Sequence, residues 1–301
     1  MPALVKFSCW LMLALCGLHA QASVQVKHEL GTLVLTETPK RIVVLEYSFI
    51  DALAAIGISP VGVADDLDAK RIIPQVRDLI KPWVSVGMRS QPSLEVISRL
   101  KPDLIIADAY RHRVSYDDLS KIAPTLLLKS RGESYQDSLD SALVIGLALG
   151  KEKAMQERLT KHKQLMEMYK SRFSSDETVQ FANVNDRGMW MHGPLSYTGS
   201  LLEYLGLHSA IPELASNHNM EVNLEVLLRV NPDWLFYGKN KPVTVLDSWQ
   251  KSPLFTLLKI HKTKQVVRVS QALWSLSRGM LAAENIAEEL DKVLNKRAEL
   301  K

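Results

Sequence analysis

Past its first twenty-two residues, this 301-residue chain contains no cysteine. Its two cysteines, Cys9 and Cys16, both fall inside that segment, so the remainder has no thiol nucleophile, no disulfide and no thiolate metal ligand. It also lacks any apolar run of about eighteen residues or more, the length a membrane-spanning helix needs. There is no low-complexity tract, and the Lys and Arg residues are spread along the chain with a formal charge of only +4, not gathered into the stripe of a nucleic-acid binder. Enzyme signatures are missing as well: no G-x-S-x-G elbow, no Walker loop, no G-x-G-x-x-G after a strand and no H-E-x-x-H. The histidines His112, His162, His192, His208, His218 and His261 share no ligand spacing. Only His208 and His218, with Glu213, lie close together, and loop histidines beside a carboxylate are usually just solvated. No catalytic residue and no metal site is expected.

What is present begins with an export signal. Lys6 precedes an apolar stretch from Cys9 to Leu18 and then Ala20-Gln21-Ala22, an A-x-A cleavage pattern. Residues 1–22 read as a signal peptide, whose removal takes the formal charge from +4 to +3. Lipid attachment at Cys16 is the lesser alternative, because Leu15 is bulky where such sites take a small residue. Length and ordinary composition, 47% hydrophobic and 23% charged, fit one large or two medium domains.

Strands alternate with helices through the first half: Arg41 to Leu45, Pro60 to Ala64, Val84 to Val86, Asp103 to Ala107 and Thr125 to Leu128 read as strands. That alternation predicts a mostly parallel sheet with helices on both faces. From Lys151 to Phe173 there is no Gly or Pro, and strong helix formers carry only a narrow apolar stripe of Leu159, Met166 and Tyr169, which suits a strut. Alternation then resumes from Val179, with a final helix from about Ser277. An internal repeat ties the halves together. Ser93-Leu94-Glu95-Val96-Ile97-Ser98-Arg99-Leu100-Lys101-Pro102-Asp103 matches Asn223-Leu224-Glu225-Val226-Leu227-Leu228-Arg229-Val230-Asn231-Pro232-Asp233, each opening on an N-cap residue and closing on Pro-Asp before an apolar strand. A weaker echo pairs Phe49 to Ile58 with Leu201 to Leu207. The expected organisation is two Rossmann-like α/β lobes, residues 23–149 and 174–301, joined by one backbone helix over 150–173.

In open α/β sheets ligands bind beyond the carboxyl ends of the strands. In the first lobe those positions hold Glu46 and Tyr47, Asp65 and Asp66, Arg89, Tyr110 with Arg111, and Arg131. In the second they hold Arg187, Trp190, Tyr197 and Lys239, then Trp274 and Arg278 before the last helix. Several arginines converging on one cleft suit a ligand with several carboxylates, because the guanidinium fork pairs with carboxylate through two parallel hydrogen bonds. Aromatic neighbours would wall the cleft. Arg89 is the foremost candidate, followed by Trp274 with Arg278, then Arg111 and Arg131. Glu46 fits beside an anionic ligand only if an arginine pairs with it.

The segments Val86-Gly87-Met88-Arg89-Ser90-Gln91-Pro92-Ser93-Leu94-Glu95, Lys101 to Ile106 and Arg278-Gly279-Met280-Leu281-Ala282-Ala283-Glu284 resemble the periplasmic siderophore-binding proteins of ABC importers. Asp65-Asp66 with Ala69-Lys70-Arg71, Leu127 to Arg131 and Thr198-Gly199-Ser200 are similar to the members of that family that bind ferric citrate. The resemblance implies a monomeric periplasmic receptor with a shallow cleft and modest closure. It implies capture of ferric citrate without cofactor or chemistry, iron entering only within its chelate. It also implies that Glu95 and Glu225 dock on the importer's membrane subunits. Other readings are a different ligand (hydroxamate or catecholate siderophore, haem, cobalamin), direct metal-ion binding, or a periplasmic α/β enzyme.

Overall fold

The computed structural model describes residues 23–173, 176–211 and 219–298. The expected signal peptide with Cys9 and Cys16 lies outside those residues, as do Glu213 and His218. A hairpin, β1 (Val24–His28) and β2 (Gly31–Leu35), comes first. The first lobe follows with β3 (Ile42–Val44), β4 (Gly62–Val63), β5 (Val84–Ser85), a two-stranded flap of β6 (Gly87–Met88) and β7 (Gln91–Pro92), then β8 (Leu104–Asp108) and β9 (Thr125–Leu128). Its sheet runs β5-β4-β3-β8-β9, and every neighbouring pair is parallel. All residues of β3 and β8 are buried, which is why they read as unbroken apolar runs. Ile42, Val44, Leu104 and Ile106 face a core shared with helix α1 (Tyr47–Ala55), while Val43, Ile105 and Ala107 face a second cluster with Ile97 of helix α2 (Leu94–Arg99). The short helix α3 (Ala109–His112) and helix α4 (Tyr135–Ala148) also belong to the lobe. The opening hairpin meets the edge at β9, where the Glu29 N–H donates to the Leu127 carbonyl at 3.0 Å, so this edge is not left bare.

Helix α5 (Glu152–Lys170) links the lobes and spans roughly 28 Å at 1.5 Å per residue. The second lobe contains β10 (Val179–Val184), β11 (Met189–His192), helix α6 (Tyr197–Tyr204), β12 (Asn219–Val222), helix α7 (Leu224–Val230), β13 (Trp234–Lys239) and β14 (Val266–Val269), and the last described element is helix α8 (Met280–Ala298). Its sheet runs β12-β11-β10-β13-β14, so both lobes place their strands third, second, first, fourth, fifth. The sheet is mostly parallel, as expected, with one strand reversed. β11 runs antiparallel to both β10 and β12, so β10, β12, β13 and β14 all point one way and β11 is the reversed strand. The cause is chain length: residues 185–188 close a tight turn, with the Asn185 N–H donating to the Gly188 carbonyl at 3.0 Å, and so few residues cannot make a crossover.

The sequence repeat is a structural repeat. Ser93 Oγ accepts the Val96 N–H at 3.3 Å, and Asn223 Oδ1 accepts the Val226 N–H at 2.9 Å, so both copies open on a working N-cap. Both helices are followed by a left-handed residue at the same place, Lys101 (φ 47°) and Asn231 (φ 42°). The aspartate that closes each copy then secures the first strand of its own lobe. Asp103 accepts the Lys40 and Arg41 N–H groups at 2.8 and 2.7 Å, and Asp233 accepts the Thr178 N–H at 2.9 Å. The weaker echo has a different origin. Helices α1 and α6 share a stop, with the Ile58 N–H on the Leu53 carbonyl and the Leu207 N–H on the Leu202 carbonyl, both 2.9 Å, across left-handed Gly57 and Gly206. However, α1 follows the first strand of its sheet and α6 the second, so the likeness reports shared capping chemistry.

Helix α5 is not free-standing. Met155, His162 and Met166 are buried along it, and Arg158 and His162 both meet Glu284 of α8, at 2.7 Å each. Helix α8 itself starts inside the first lobe, where its Leu281 and Ala282 N–H groups donate to the wholly buried Asp51 carboxylate of α1 at 3.0 and 2.9 Å. A side chain at Gly279 would overlap that carboxylate, so the close approach requires glycine. Burial pushes the Asp51 carboxyl up to about 7; the Leu281 and Ala282 N–H groups and Arg158 oppose the rise, and Glu284 adds to it. Because the folded chain holds this proton more tightly than the unfolded chain, Asp51 favours folding most below about pH 4, and that contribution declines as pH rises to about 7. Urea midpoints measured between those limits should therefore show Asp51→Asn gaining on the wild type as pH increases, by at most about 1.4 kcal/mol per pH unit. A difference independent of pH would contradict this assignment.

Candidate ligand-binding cleft

Loops at the carboxyl ends of the first-lobe strands meet the segment that enters α8, and they meet at one carboxylate. Glu46 follows β3 in extended conformation (φ −148°, ψ 153°) at the N-cap of α1, yet its side chain does not cap the helix. The residue is 0% exposed and turns toward three guanidinium groups. Oε2 accepts from Arg89 Nη1 at 3.1 Å and from Arg278 Nη2 at 3.2 Å, while Oε1 accepts from Arg111 Nε. Burial alone would raise this carboxyl; Arg278, Arg89 and Arg111 outweigh it and hold the group below the usual range. The pairing that Glu46 needed is therefore present, threefold.

Each arginine has further internal partners. Arg89 donates from Nε to Asp66 at 3.0 Å, contacts Asp66 again through Nη2 at 2.9 Å, and lays its guanidinium 4.0 Å from the centroid of the Tyr47 ring. Its carbonyl is held by His112. The Asp108 N–H donates to His112 Nδ1 at 2.9 Å, so the ring proton sits on Nε2 and is given to the Arg89 carbonyl at 2.8 Å. Burial lowers the His112 pKa, which suits this neutral tautomer. Arg278 donates to Glu133 at 3.0 Å and to Ser130 Oγ at 3.0 Å. Burial raises the Glu133 carboxyl well above its ordinary range; Arg278 pulls against that, and Glu46 and Asp108 add to it. Asp108 fixes the loop beyond β9 by accepting the Ser130 and Arg131 N–H groups, both at 3.0 Å.

Arg131 differs from the other three. It is exposed, and its guanidinium stacks 4.7 Å from the ring centroid of Tyr110, itself 69% exposed. Arg111 keeps its two terminal nitrogens clear of the contact that Nε makes with Glu46. Arg89, by contrast, engages Nε and both terminal nitrogens internally and is 5% exposed, so its role is to position other groups. The ranking that put Arg89 first is corrected on that ground.

The aromatic candidates separate in the same way. Trp274 is 0% exposed, stacks on Phe236 at 5.1 Å and donates from Nε1 to Glu289 at 2.7 Å, so it belongs to the core and not to a cleft wall. Tyr197 is also buried and exchanges hydrogen bonds with Gly279, donating to its carbonyl at 2.6 Å, which makes it a pin for the start of α8. Tyr47 backs Arg89 from beneath, donating from its hydroxyl to the Asp65 carbonyl at 3.1 Å. Trp190 is half-buried on β11 opposite Asn183, and is not among the partners of the arginine cluster. Sequence reasoning did not single out Glu133 or the second-lobe set of Asn183, His192 and Ser275, in which Asn183 Nδ2 lies 2.9 Å from His192 Nε2 and 2.7 Å from Ser275 Oγ. Glu133 stands two residues after Arg131, a signal that was available; the Asn183 set spans 92 positions and gave none.

With buried Arg89 and the half-buried Arg111 and Arg278 leaning on one buried carboxylate, Glu46→Ala should lower stability by about 3–5 kcal/mol, the usual consequence of stripping a partner from buried charge. Chemical denaturation of the purified variant measures this; an unaltered midpoint would contradict the central role given to Glu46.

The pattern of the periplasmic binding protein family matches residues 42–273. The chain is 44% identical to the Fe(3+) dicitrate-binding periplasmic protein FecB of Escherichia coli (strain K12), an alignment covering 98% of this chain and 97% of that one. It is 40% identical to the Fe(3+)-citrate-binding protein YfmC of Bacillus subtilis (strain 168), covering 90% and 86%. The crystal structure of Staphylococcus aureus SirA complexed with staphyloferrin B superposes with a TM-score of 0.80 at 26% identity, covering 90% of this chain and 98% of that one. Among the described residues no helix is long and apolar enough to cross a membrane. Two lobes repeating one strand order, a linking helix and a polar cleft between them are thus accompanied by similarity along nearly the whole sequence, and the chain belongs to the periplasmic binding protein family.

Proposed function

We propose that this protein is the extracytoplasmic receptor for ferric citrate and hands it to the membrane subunits of an ABC importer. The observation that carries the reading is the convergence of Arg89 and Arg111 of the first lobe with Arg278 on buried Glu46, next to exposed Arg131 on Tyr110. The relatives that bind iron–citrate, at 44% and 40% identity, support the choice of ligand. Internal carboxylates hold the guanidinium forks in fixed directions before the ligand arrives, which reduces the ordering cost of binding. Arg131 and the free end of Arg111 donate to carboxylate oxygens of the chelate, and the exposed Tyr110 ring offers an apolar face. Citrate saturates the iron, so no protein ligand to the metal and no resident cofactor is needed. The mechanism is capture, slight closure, docking and release, without bond making. A core shared by Phe49 and Leu53 of α1, Ile286 and Leu290 of α8 and Phe181 and Phe236 of the second lobe favours small closure.

Removing one charge-assisted pair costs about 1.5–3 kcal/mol, or roughly one to two powers of ten in affinity. Arg131→Ala should therefore weaken ferric citrate binding at least about tenfold while leaving the unfolding midpoint in place, because the side chain is exposed. Titration with ferric citrate, iron-free citrate and a ferric hydroxamate, followed by tryptophan fluorescence, tests the choice of ligand; tighter binding of the hydroxamate would overturn it.

Glu95 and Glu225 are exposed at matching places of the two repeat copies, as docking onto a pair of membrane subunits requires. Reversing both charges should leave ligand affinity unchanged and abolish uptake in a transport assay; normal uptake would remove the docking role.

A further inference from the structure

The carboxylate of Asp51 is wholly buried and is spent on the backbone of another helix. Its Oδ1 accepts the Leu281 N–H at 3.0 Å and its Oδ2 the Ala282 N–H at 2.9 Å, both in the first turn of α8. Gly279, just before that turn, is pressed so closely on the carboxylate that no side chain fits there. On its other side the Tyr197 hydroxyl donates to the Gly279 carbonyl at 2.6 Å and accepts the Gly279 N–H at 3.2 Å. The entry to α8 is therefore gripped between α1 and α6.

The residue before Gly279 is Arg278. It donates from Nε to Glu133 and from Nη2 to Ser130 Oγ, both at 3.0 Å, and from Nη2 to Glu46 at 3.2 Å. Ser130 adjoins Arg131, the exposed guanidinium on Tyr110. Ser48, one turn before Asp51 on α1, places its Oγ 2.8 Å from Ser130 Oγ. Residues 130–133 are thus fastened to α1 directly and, through Arg278, by way of the α8 entry.

We infer that Asp51 is a positioning residue for chelate capture: ionised, it holds the α8 entry, Arg278 and the loop carrying Arg131 in the binding geometry, and protonated, it slackens that hold. A carboxylate accepts both N–H groups with charge assistance, whereas a carboxylic acid keeps one good acceptor and sets a hydroxyl against a backbone donor. An anion is also favoured at a helix N-terminus. Burial brings the change of state to about pH 7. The titratable groups around Asp51 are Glu284 of α8, Arg158 and His162 of α5, Tyr197 of α6 and, through His162, Tyr135 of α4. Arg77, on the short helix Pro74–Arg77 that also packs on α1, turns to the Ala69 carbonyl at 3.3 Å, and Ile42–Val44 of β3 carries no titratable group. Stability and affinity then respond to pH with opposite signs, because the charge that burial penalises is the charge that grips α8. A purely structural role would move both together.

The inference rests on the ferric citrate reading, and the test separates the two. The mature wild type, Asp51→Asn and Tyr197→Phe are titrated with one ferric citrate preparation at each pH from about 5.5 to 8. Protonation of the chelate, and of His162 and Glu284, is then common to all three. Asparagine offers one acceptor oxygen and stands in for the protonated acid. The dissociation constant of Asp51→Asn relative to wild type should be near equality at the acid end and rise to about fivefold or more at the alkaline end, a usual size for coupling between sites. Tyr197→Phe loosens Gly279 without a carboxylate, so it should weaken binding by a factor that stays constant with pH. If Asp51→Asn does not fold, carbon NMR of the Asp51 carboxyl in the wild type replaces it, with diamagnetic gallium(III) citrate as ligand. By reciprocity the carboxyl midpoint should move down by about 0.7 pH units when ligand is added. A ratio level across the range, a carboxyl midpoint that ligand leaves in place, or full affinity in Tyr197→Phe would overturn the positioning role and leave the receptor reading standing. Failure of the wild type to bind ferric citrate would overturn both.

Discussion

Glu46 is a carboxylate without solvent contact, stable in that position only because three guanidinium groups surround it. Removing a carboxylate from water costs several kcal/mol unless partners replace its hydration. The partners here come from positions 89, 111 and 278, so one residue draws together the flap beyond β6, the helix beyond β8 and the segment entering α8. Every cleft loop of the first lobe takes its bearing from that point, directly or through Asp66, Asp108 and Glu133. The same neutralisation limits what the cluster offers a ligand: donors already engaged inside are not available outside, and recognition passes to the ends left free.

A second constraint joins the halves. Helix α8 is capped by Asp51 of the first lobe, pinned at Gly279 by Tyr197 of the second, and tied to the linking helix through Glu284. Trp274 stacks beneath, between Phe181 and Phe236. Trp274 and Tyr197, sought at the cleft surface, instead pack inside the second lobe and against the start of α8. The core shared along α8 opposes a large hinge motion.

Much of the architecture was legible because it is encoded locally. Buried β3 and β8 announce themselves as unbroken apolar runs, the linking helix as a long stretch without Gly or Pro, and the duplicated unit as an N-cap, a first-turn glutamate and Pro-Asp in register. In the second sheet only β11 departs from the parallel arrangement, and the shortness of residues 185–188, which excludes a crossover, is what reverses it. In the cleft, the arginines fell where strand-end reasoning put them. Which of them are free and which are consumed was not readable, because Arg278 reaches Glu46 across 232 positions and His112 orients Arg89 across 23.

The sequence by itself determined the two lobes, their connecting helix and the supply of arginines at strand ends, since hydrophobic periodicity, capping and turn chemistry act over a few residues. Only the tertiary structure decided the partnership of each charge. Whether a guanidinium meets a carboxylate of the chain or waits for one on a ligand depends on distances between loops far apart in sequence, and burial alters the cost of every such choice.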